Sequence, residues 1–185
     1  RDGKGKYPFY MEKEIMEQPE ALQATLDHRI VDGHIDLSFD GVPDDVLQNC
    51  ERICVVACGT AMHAGLIAKA IVKSILHMHI DVDMASEFMY SDPVIDEKSL
   101  VIAVSQSGET IDTLEALKYA RKKGAKSVAV INVKGSSIAR ESDYVMYTVA
   151  GPEIAVASTK AYTTQVETLM LLIGRMAKVR GIFDD

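Results

Sequence analysis

The sequence predicts an α/β protein, a doubly wound three-layer α/β/α sandwich with a five-stranded parallel sheet. Five short apolar segments alternate with helical segments after residue 50, a pattern typical of a parallel sheet covered by helices on both faces. Polar turns rich in Gly, Ser and Thr follow the first and the third of these segments. The 185 residues are 48% hydrophobic and 25% charged, so the chain can form a globular domain with a full core.

The predicted strands are short, mainly apolar segments rich in β-branched residues, which favour strands. They cover residues 52–57, 80–84, 100–104, 127–131 and 144–148. Helices are predicted over residues 60–77, 85–90 (a short helix or turn), 110–123, 136–142 and 159–180. The helix at 110–123 has an acid near its start, basic residues at its end and Gly124 just beyond, so charge and cap agree on its limits.

The first 50 residues are less regular than the rest. Residues 1–10 are polar and are interpreted as a linker. A helix is predicted over residues 11–29, interrupted or restarted at Pro19, and a short helix at 43–47, where a proline and two acids suit a first turn. The chain does not begin with Met, so we expect a piece of a longer protein.

The net charge of −7 disfavours binding to nucleic acid or to an anionic membrane, because both need a basic surface. No apolar run reaches the roughly 18 residues that a membrane span requires. We therefore expect no nucleic acid and no membrane as partner. A phosphate ligand remains allowed, because the N-terminus of a helix supplies positive potential locally.

The cysteines at 50, 54 and 58 are predicted to be free thiols. Cys54 and Cys58 would lie about 13 Å apart along a strand, which is beyond disulfide reach. The spacing also lacks the C-x-x-C pattern of zinc sites, so no metal is expected. Free thiols fit a reducing, cytoplasmic location. No cofactor is expected, because Ala61 and Ala64 stand where a dinucleotide fingerprint starting at Gly59 needs glycine.

The run S-Q-S-G-E-T at residues 105–110 is the strongest candidate site. It follows a buried strand and opens a helix, whose first N–H groups have no intrahelical partner and attract anions. The hydroxyls of Ser105, Ser107 and Thr110 can add donors, and Gly108 removes a Cβ where backbone and ligand would meet. The alternative is that Ser107 only caps the helix. Hydroxyls at three of six positions exceed what a cap needs, so this loop is predicted to bind a phosphate group.

Two further polar loops precede predicted helices. In Cys58-Gly59-Thr60-Ala61, the threonine would cap its helix or contact a ligand hydroxyl. In the loop at 151–160, backbone groups near Val156 and the Ser158 hydroxyl could bind a sugar. Lys160 is predicted to be solvated, because nothing in the sequence suggests a depressed pKa.

Three stretches together resemble the sugar isomerase (SIS) domain family. They are Cys58-Gly59-Thr60, S-Q-S-G-E-T at 105–110 and V-A-S-T-K-A-Y-T-T-Q at 156–165. In particular they are similar to the first of two SIS copies in the aminotransferases that make glucosamine 6-phosphate from fructose 6-phosphate and glutamine. The segment 7–19 resembles the junction between the glutaminase part and the isomerase part of those enzymes.

The resemblance implies a role for each matching residue. The residues that would hold the sugar phosphate are Ser105, Gln106, Ser107 and Thr110, and those that would line the sugar are Thr60, Val156 and Ser158. One position departs from the family, since many members carry serine where this chain has Ala61. The backbone N–H of Ala61 can still bind phosphate, but a hydroxyl contact is lost.

The resemblance also implies the domain plan and the partners. Residues 1–42 would be the linker and N-terminal helix of the junction, and residues 43–185 the SIS phosphosugar-binding domain. The partners would be fructose 6-phosphate or glucosamine 6-phosphate, a glutaminase domain and a second SIS domain in the parent chain, and a second copy in a homodimer. The family's catalytic groups lie in the second copy and the C-terminal tail, so this chain alone is expected to bind without catalysing.

Two other functions remain open at this point. One is an SIS enzyme without glutaminase, a sugar-phosphate deaminase or isomerase. The other is a non-enzymatic phosphosugar-sensing module of a regulator. A glutaminase or a DNA-binding domain encoded beside this chain would discriminate between them.

Overall fold

The computed structural model describes residues 18–150 and 159–182 and has a parallel sheet at its centre. The strands are β1 (Ile30–Val31), β2 (His34–Ile35), β3 (Arg52–Ala57), β4 (His79–Met84), β5 (Ser99–Ser105), β6 (Lys126–Ile131) and β7 (Tyr144–Tyr147). The helices are α1 (Gln18–Leu26), α2 (Asp44–Asn49), α3 (Ala61–Ile75), α4 (Ala85–Phe88), α5 (Ile111–Lys122), α6 (Ser137–Glu141) and α7 (Thr159–Val179). A short 3₁₀ turn, Met89–Ser91, follows α4.

The five predicted strands form one sheet in the order β4-β3-β5-β6-β7, and every pair in it is parallel. The chain leaves β3 for one edge, forms β4 there and returns to the other side of β3 as β5. Strand order therefore reverses between β3 and β5, and a doubly wound sheet has its ligand crevice at such a point. The register pairs Ala57 with Val104, so the two strands end side by side.

Helices cover both faces of the sheet, which confirms the predicted three-layer α/β/α sandwich. Alternate residues of each central strand face opposite sides, as the two-residue period of a strand requires. Ile53 and Val55 of β3 join a core with residues of α2, α3 and α7. Cys54 and Val56 join the opposite core with residues of α4, α5 and α6.

Gly65 allows α3 to approach the sheet closely. A Cβ at this position would lie 3.0 Å from Val82 Cγ1 and 3.1 Å from Val55 Cγ1, closer than most carbon contacts. The short distance holds the first half of α3 against β3 and β4. This packing fixes the position of the loop that joins β3 to α3.

The N-terminal region differs from the prediction in one element. Residues 30–35 form an antiparallel hairpin, with Ile30 opposite Ile35. Its turn residues Asp32 and Gly33 both have positive φ, 52° and 80°, which is the geometry that Asp-Gly favours between two strands. Helix α1 begins at Gln18 with Pro19 in its first turn, and the predicted helical residues 11–17 lie outside the described part of the chain.

The three cysteines are free, as predicted. Cys50 and Cys54 are buried and Cys58 is partly exposed. Within residues 18–150 and 159–182, no group of three or more His, Cys, Asp or Glu side chains is placed to hold a metal ion. None of the helices described in these ranges combines the length and the apolar composition of a membrane span.

Candidate functional site

A cavity of about 310 Å³ opens where β3 and β5 end. The loop after β3 forms one side, the loop after β5 forms another, and the first turns of α7 close it. This is the point at which the strand order reverses. The position therefore agrees with the general rule for ligand sites in doubly wound sheets.

The cavity brings together every predicted site residue that the structure describes. These are Thr60, Ala61, Ser105, Gln106, Ser107 and Thr110. The two other predicted residues, Val156 and Ser158, lie outside the described residues. Lining residues to which sequence reasoning gave no role are Cys58, Gly59, Val104, Ala161 and Gln165.

The hydroxyls of the 105–110 loop organise the loop itself. Ser105 Oγ accepts a hydrogen bond from the Gly108 N–H at 3.0 Å and lies 3.1 Å from Thr110 Oγ1. Ser107 Oγ accepts from the Glu109 N–H at 3.1 Å. Ser105 is buried, whereas Ser107 is exposed and Thr110 partly exposed. Ser105 therefore shapes the loop from the cavity wall, and Ser107 and Thr110 are the more accessible hydroxyls of the loop.

The start of α5 gives this loop its anion-binding character. The Leu114 N–H donates to the Thr110 carbonyl at 3.0 Å, and it is the first bond of the helix. The N–H groups of residues 111–113 precede that bond and have no intrahelical acceptor. They and the helix dipole attract an anion to this end without any basic side chain. Thr110 occupies the N-cap position but makes no side-chain cap bond, and its hydroxyl, paired with Ser105 Oγ, can still form a further hydrogen bond to a ligand.

Gly108 has a different role from the one predicted. The space that its Cβ would occupy is filled by Ser136, whose Oγ would lie 2.0 Å away, rather than left for a ligand. Gly108 also has a φ of 73°, which most residues avoid. Its carbonyl accepts from the Ile138 N–H at 2.9 Å. Gly108 thus lets the loop pack against the start of α6.

Glu109 is the acid that precedes the helix predicted over residues 110–123. The helix begins two residues later, at Ile111, so Glu109 lies in the loop. Its carboxylate accepts from the Ser137 hydroxyl at 2.6 Å and from the Ser137 N–H at 3.0 Å. These bonds, the hydroxyl bond first, lower the pKa of Glu109. The carboxylate caps α6 and ties the loop to it.

The loop after β3 presents an unused hydroxyl. Thr60 is the N-cap residue of α3, but its side chain makes no cap bond, so the predicted capping role is not observed. The Met62 N–H bonds to the Gly59 carbonyl at 3.1 Å and the His63 N–H to the Thr60 carbonyl at 3.0 Å. The N–H of buried Ala61 precedes both, and such N–H groups at a helix start have no intrahelical partner.

Lys160 contradicts the prediction of a solvated side chain, because only 7% of it is exposed. The reason is its position on α7. Residues at intervals of four share a helix face, and Lys160 shares its face with Thr164, Thr168 and Leu172, all of which are buried. The Lys160 carbonyl accepts from the Thr164 hydroxyl at 2.9 Å.

A second concavity of about 520 Å³ lies on the same side of the sheet as α3 and α7. We call it the α1–α7 groove, and it is lined by Leu22, Ile35, Ile67, Tyr162, Thr163, Val166, Glu167, Met170 and Leu171. Glu167 is its one ionisable carboxylate among the residues described. Burial raises the pKa of Glu167 to about 7, against a weaker lowering by Arg29.

Comparison with known proteins identifies the family. Residues 46–175 match the SIS domain. The chain is 50% identical over 179 residues to the glutamine–fructose-6-phosphate aminotransferase (isomerizing) of Caldanaerobacter subterraneus, covering 96% of this chain and 29% of that protein. It is 52% identical over 177 residues to the enzyme of the same name from Streptomyces coelicolor, covering 95% and 29%.

A solved structure agrees with these sequence matches. The C-terminal domain of glucosamine-fructose-6-phosphate aminotransferase from Francisella tularensis superposes with a TM-score of 0.93 at 42% identity. The match covers 99% of this chain and 52% of that one. This chain therefore spans less than a third of the length of the curated relatives and about half of that structure. The family match covers most of the chain, including both described loops of the cavity, and the chain belongs to the SIS domain family.

Proposed function

We propose that the cavity binds a phosphorylated hexose, fructose 6-phosphate or glucosamine 6-phosphate, with its phosphate on the 105–110 loop. The observation that carries this proposal is the convergence of accessible hydroxyls with an open helix start at the point where strand order reverses. An anion is stabilised there by backbone N–H groups and the helix dipole, although the chain is acidic overall.

The proposed roles divide between the two ends of the ligand. The phosphate would contact Ser105, Gln106, Ser107 and Thr110, and the N–H of Ala61. The sugar would contact Thr60 and, from the loop outside the described residues, Val156 and Ser158. The exposed Thr60 hydroxyl lines the same cavity as the phosphate loop, which supports this division.

We further propose that this chain is the first SIS domain of a longer enzyme that makes glucosamine 6-phosphate from fructose 6-phosphate and glutamine. About 50% identity to aminotransferases of that name supports it. Residues 1–42 would then be the junction with a glutaminase domain, and residues 43–185 the SIS domain. The parent enzyme would be cytoplasmic, and a second SIS domain in it would be a further partner of this chain.

The chain alone is proposed to bind its ligand without converting it. Isomerisation between ketose and aldose needs a general base within hydrogen-bond reach of the C1 and C2 protons. In the described part of the chain, no carboxylate, imidazole or amine lines the cavity. Glu109, the nearest carboxylate along the loop, is bonded to Ser137 instead. An assay of this chain with fructose 6-phosphate and ammonia should therefore yield no glucosamine 6-phosphate, and measurable turnover would contradict the proposal.

Titration calorimetry tests the binding proposal. Fructose 6-phosphate and glucosamine 6-phosphate should bind, inorganic phosphate should compete with them, and unphosphorylated fructose should bind much more weakly. The order follows because charged hydrogen bonds to the phosphate supply most of the affinity. Equal affinity for fructose and for its phosphate would reject the site.

We also propose that the α1–α7 groove packs against a second copy of this chain. The exposed apolar side chains in and beside it support this, since Met170 is 50% exposed and Leu66 of α3 is 48% exposed. Sedimentation should detect a dimer at micromolar concentration that Met170→Glu dissociates. Val94→Glu, on an exposed residue between α4 and β5, is the matched control and should leave the dimer intact. A monomer at every accessible concentration would contradict this proposal.

A further inference from the structure

The side-chain amide oxygen of Gln165 is buried and has no hydrogen-bond partner in the described part of the chain. Gln165 lies on α7 and is 3% exposed. The buried hydroxyls beside it are satisfied, since Thr164 Oγ1 donates to the Lys160 carbonyl at 2.9 Å and Thr168 Oγ1 to the Thr164 carbonyl at 2.8 Å. Buried polar groups in folded proteins are rarely left unpaired, so this amide requires an explanation.

The position of Gln165 supplies that explanation. Gln165 and Ala161, four residues apart and therefore on one face of α7, line the cavity across from the loops after β3 and β5. The phosphate end of a ligand is assigned to the 105–110 loop. A ligand longer than phosphate itself must then extend through the rest of the cavity, towards the α7 wall.

We infer that the Gln165 amide hydrogen-bonds a hydroxyl of the bound sugar and so discriminates sugar phosphates from shorter phosphate esters. This inference rests on the proposed function of the cavity. A hydroxyl has one donor hydrogen and two acceptor lone pairs, so it can pair with either end of an amide. A leucine or methionine would fill the same space without burying a polar group. The amide is therefore explained by a polar ligand and not by packing.

Gln165→Met tests the inference because methionine is unbranched, similar in length and a comparable helix former. Calorimetry is done on the full chain with fructose 6-phosphate, glycerol 3-phosphate and inorganic phosphate. We expect the variant to bind fructose 6-phosphate about tenfold more weakly, a loss of about 1.4 kcal/mol. The affinity for inorganic phosphate should be unchanged. The affinity for glycerol 3-phosphate should fall less than the affinity for fructose 6-phosphate. The melting temperature should be equal or higher, since a buried amide oxygen without a partner has been removed.

Two controls separate this role from a structural one. Gln48→Met makes the same substitution on an exposed residue of α2 and should change none of the affinities. Gln165→Leu replaces the methionine variant if the latter does not fold. Unchanged affinity of the variant for fructose 6-phosphate would overturn the role of Gln165, and so would an equal loss of affinity for fructose 6-phosphate and inorganic phosphate. Either result would leave the proposed function of the cavity standing. A wild-type chain that binds no sugar phosphate would overturn the proposed function, and this inference with it.

Discussion

Two concavities of this domain, the cavity and the α1–α7 groove, differ in what lines them more than in size. The cavity at the ends of β3 and β5 is about 310 Å³ and presents hydroxyls, amides and backbone N–H groups. The α1–α7 groove is about 520 Å³ and presents mainly aliphatic and aromatic side chains from α1, α3 and α7. The larger of the two lies away from the strand ends and has few groups that could orient a polar ligand.

The comparison teaches that the type of group at a site decides its ligand. A phosphate needs converging donors, which the 105–110 loop provides through its hydroxyls and the N-terminus of α5. The α1–α7 groove instead contains Glu167, whose carboxyl has one buried oxygen without a partner among the described residues and would repel a phosphate when it is ionised. Its apolar walls suit a protein surface.

The largest expected effect is the loss of ligand binding when the accessible hydroxyls of the cavity are removed. Ser107→Ala combined with Thr110→Ala should weaken fructose 6-phosphate binding by about 10² to 10⁴-fold, since each hydrogen bond to a charged group contributes roughly 1.5–3 kcal/mol. Buried Ser105 is left intact because its oxygen holds the loop through the Gly108 N–H. Calorimetry measures the effect. Met170→Gln, in the α1–α7 groove, is the control. If it weakened fructose 6-phosphate binding as much as the cavity variant does, the contrast between the cavity and the groove would be contradicted.

The next effect concerns the loop that carries the cavity. Gly108→Ala should lower the free energy of unfolding by about 2 kcal/mol, because φ is 73° and the new Cβ would lie 2.0 Å from Ser136 Oγ. This corresponds to a melting temperature lower by about 4–8 °C.

Ser136→Gly removes both Ser136 atoms that crowd the new Cβ, after which the nearest of the three neighbouring atoms is Ile131 Cδ1 at 3.6 Å. The double variant should therefore recover part of the lost stability, while the strain from positive φ remains. Ser136→Gly alone completes the double-mutant cycle. Strictly additive effects would show that Ser136 and Gly108 do not interact.

Cys58 reports occupancy of the cavity through its thiol. Fructose 6-phosphate at ten times its dissociation constant should slow alkylation of Cys58 by about tenfold, because the residue lines the cavity and is partly exposed. Cys50 and Cys54 are internal controls, since burial raises the pKa of both thiols. Peptide mass spectrometry measures all three rates. Equal alkylation of Cys58 with and without saturating ligand would place the ligand elsewhere.

The smallest effect belongs to Glu167 in the groove. With its pKa raised to about 7 in the folded chain, it keeps a proton that the unfolded chain loses from about pH 4.5 upward. Stability should therefore fall as pH rises through this window, and Glu167→Gln should not show this loss. Because Glu167 is partly exposed, we expect about 1 kcal/mol, or about 2–4 °C in melting temperature at pH 8. Glu115→Gln changes an exposed residue of α5 and is the control. The same dependence of melting temperature on pH in the wild type and in Glu167→Gln would contradict the prediction.

The strands and the place of the site could be predicted from sequence because their signals are local. The five predicted strands agree with the structure to within one residue at each end, since each is a short, mainly apolar segment. The run at 105–110 follows one of them directly, so a loop at a strand end and a helix start was readable from spacing alone.

The supports of the site could not be predicted because they depend on distant residues. Glu109 bonds to Ser137, 28 positions away, and Gly108 makes room for Ser136. Neither contact has a local signature. The burial of Lys160 depends on how α7 packs against the sheet, and a charged residue is usually assumed to be solvated. Only the hairpin had a readable signal, Asp32-Gly33 between Ile30-Val31 and His34-Ile35.

A crystal structure of the chain with fructose 6-phosphate tests the central claim most directly. The phosphate oxygens should lie within hydrogen-bond distance, about 2.7–3.2 Å, of the Ser107 and Thr110 hydroxyls and of the N–H groups at the start of α5. The sugar should extend towards Thr60 and α7. Sugar phosphate bound in the α1–α7 groove, with the cavity at the ends of β3 and β5 empty at saturating ligand, would contradict the account.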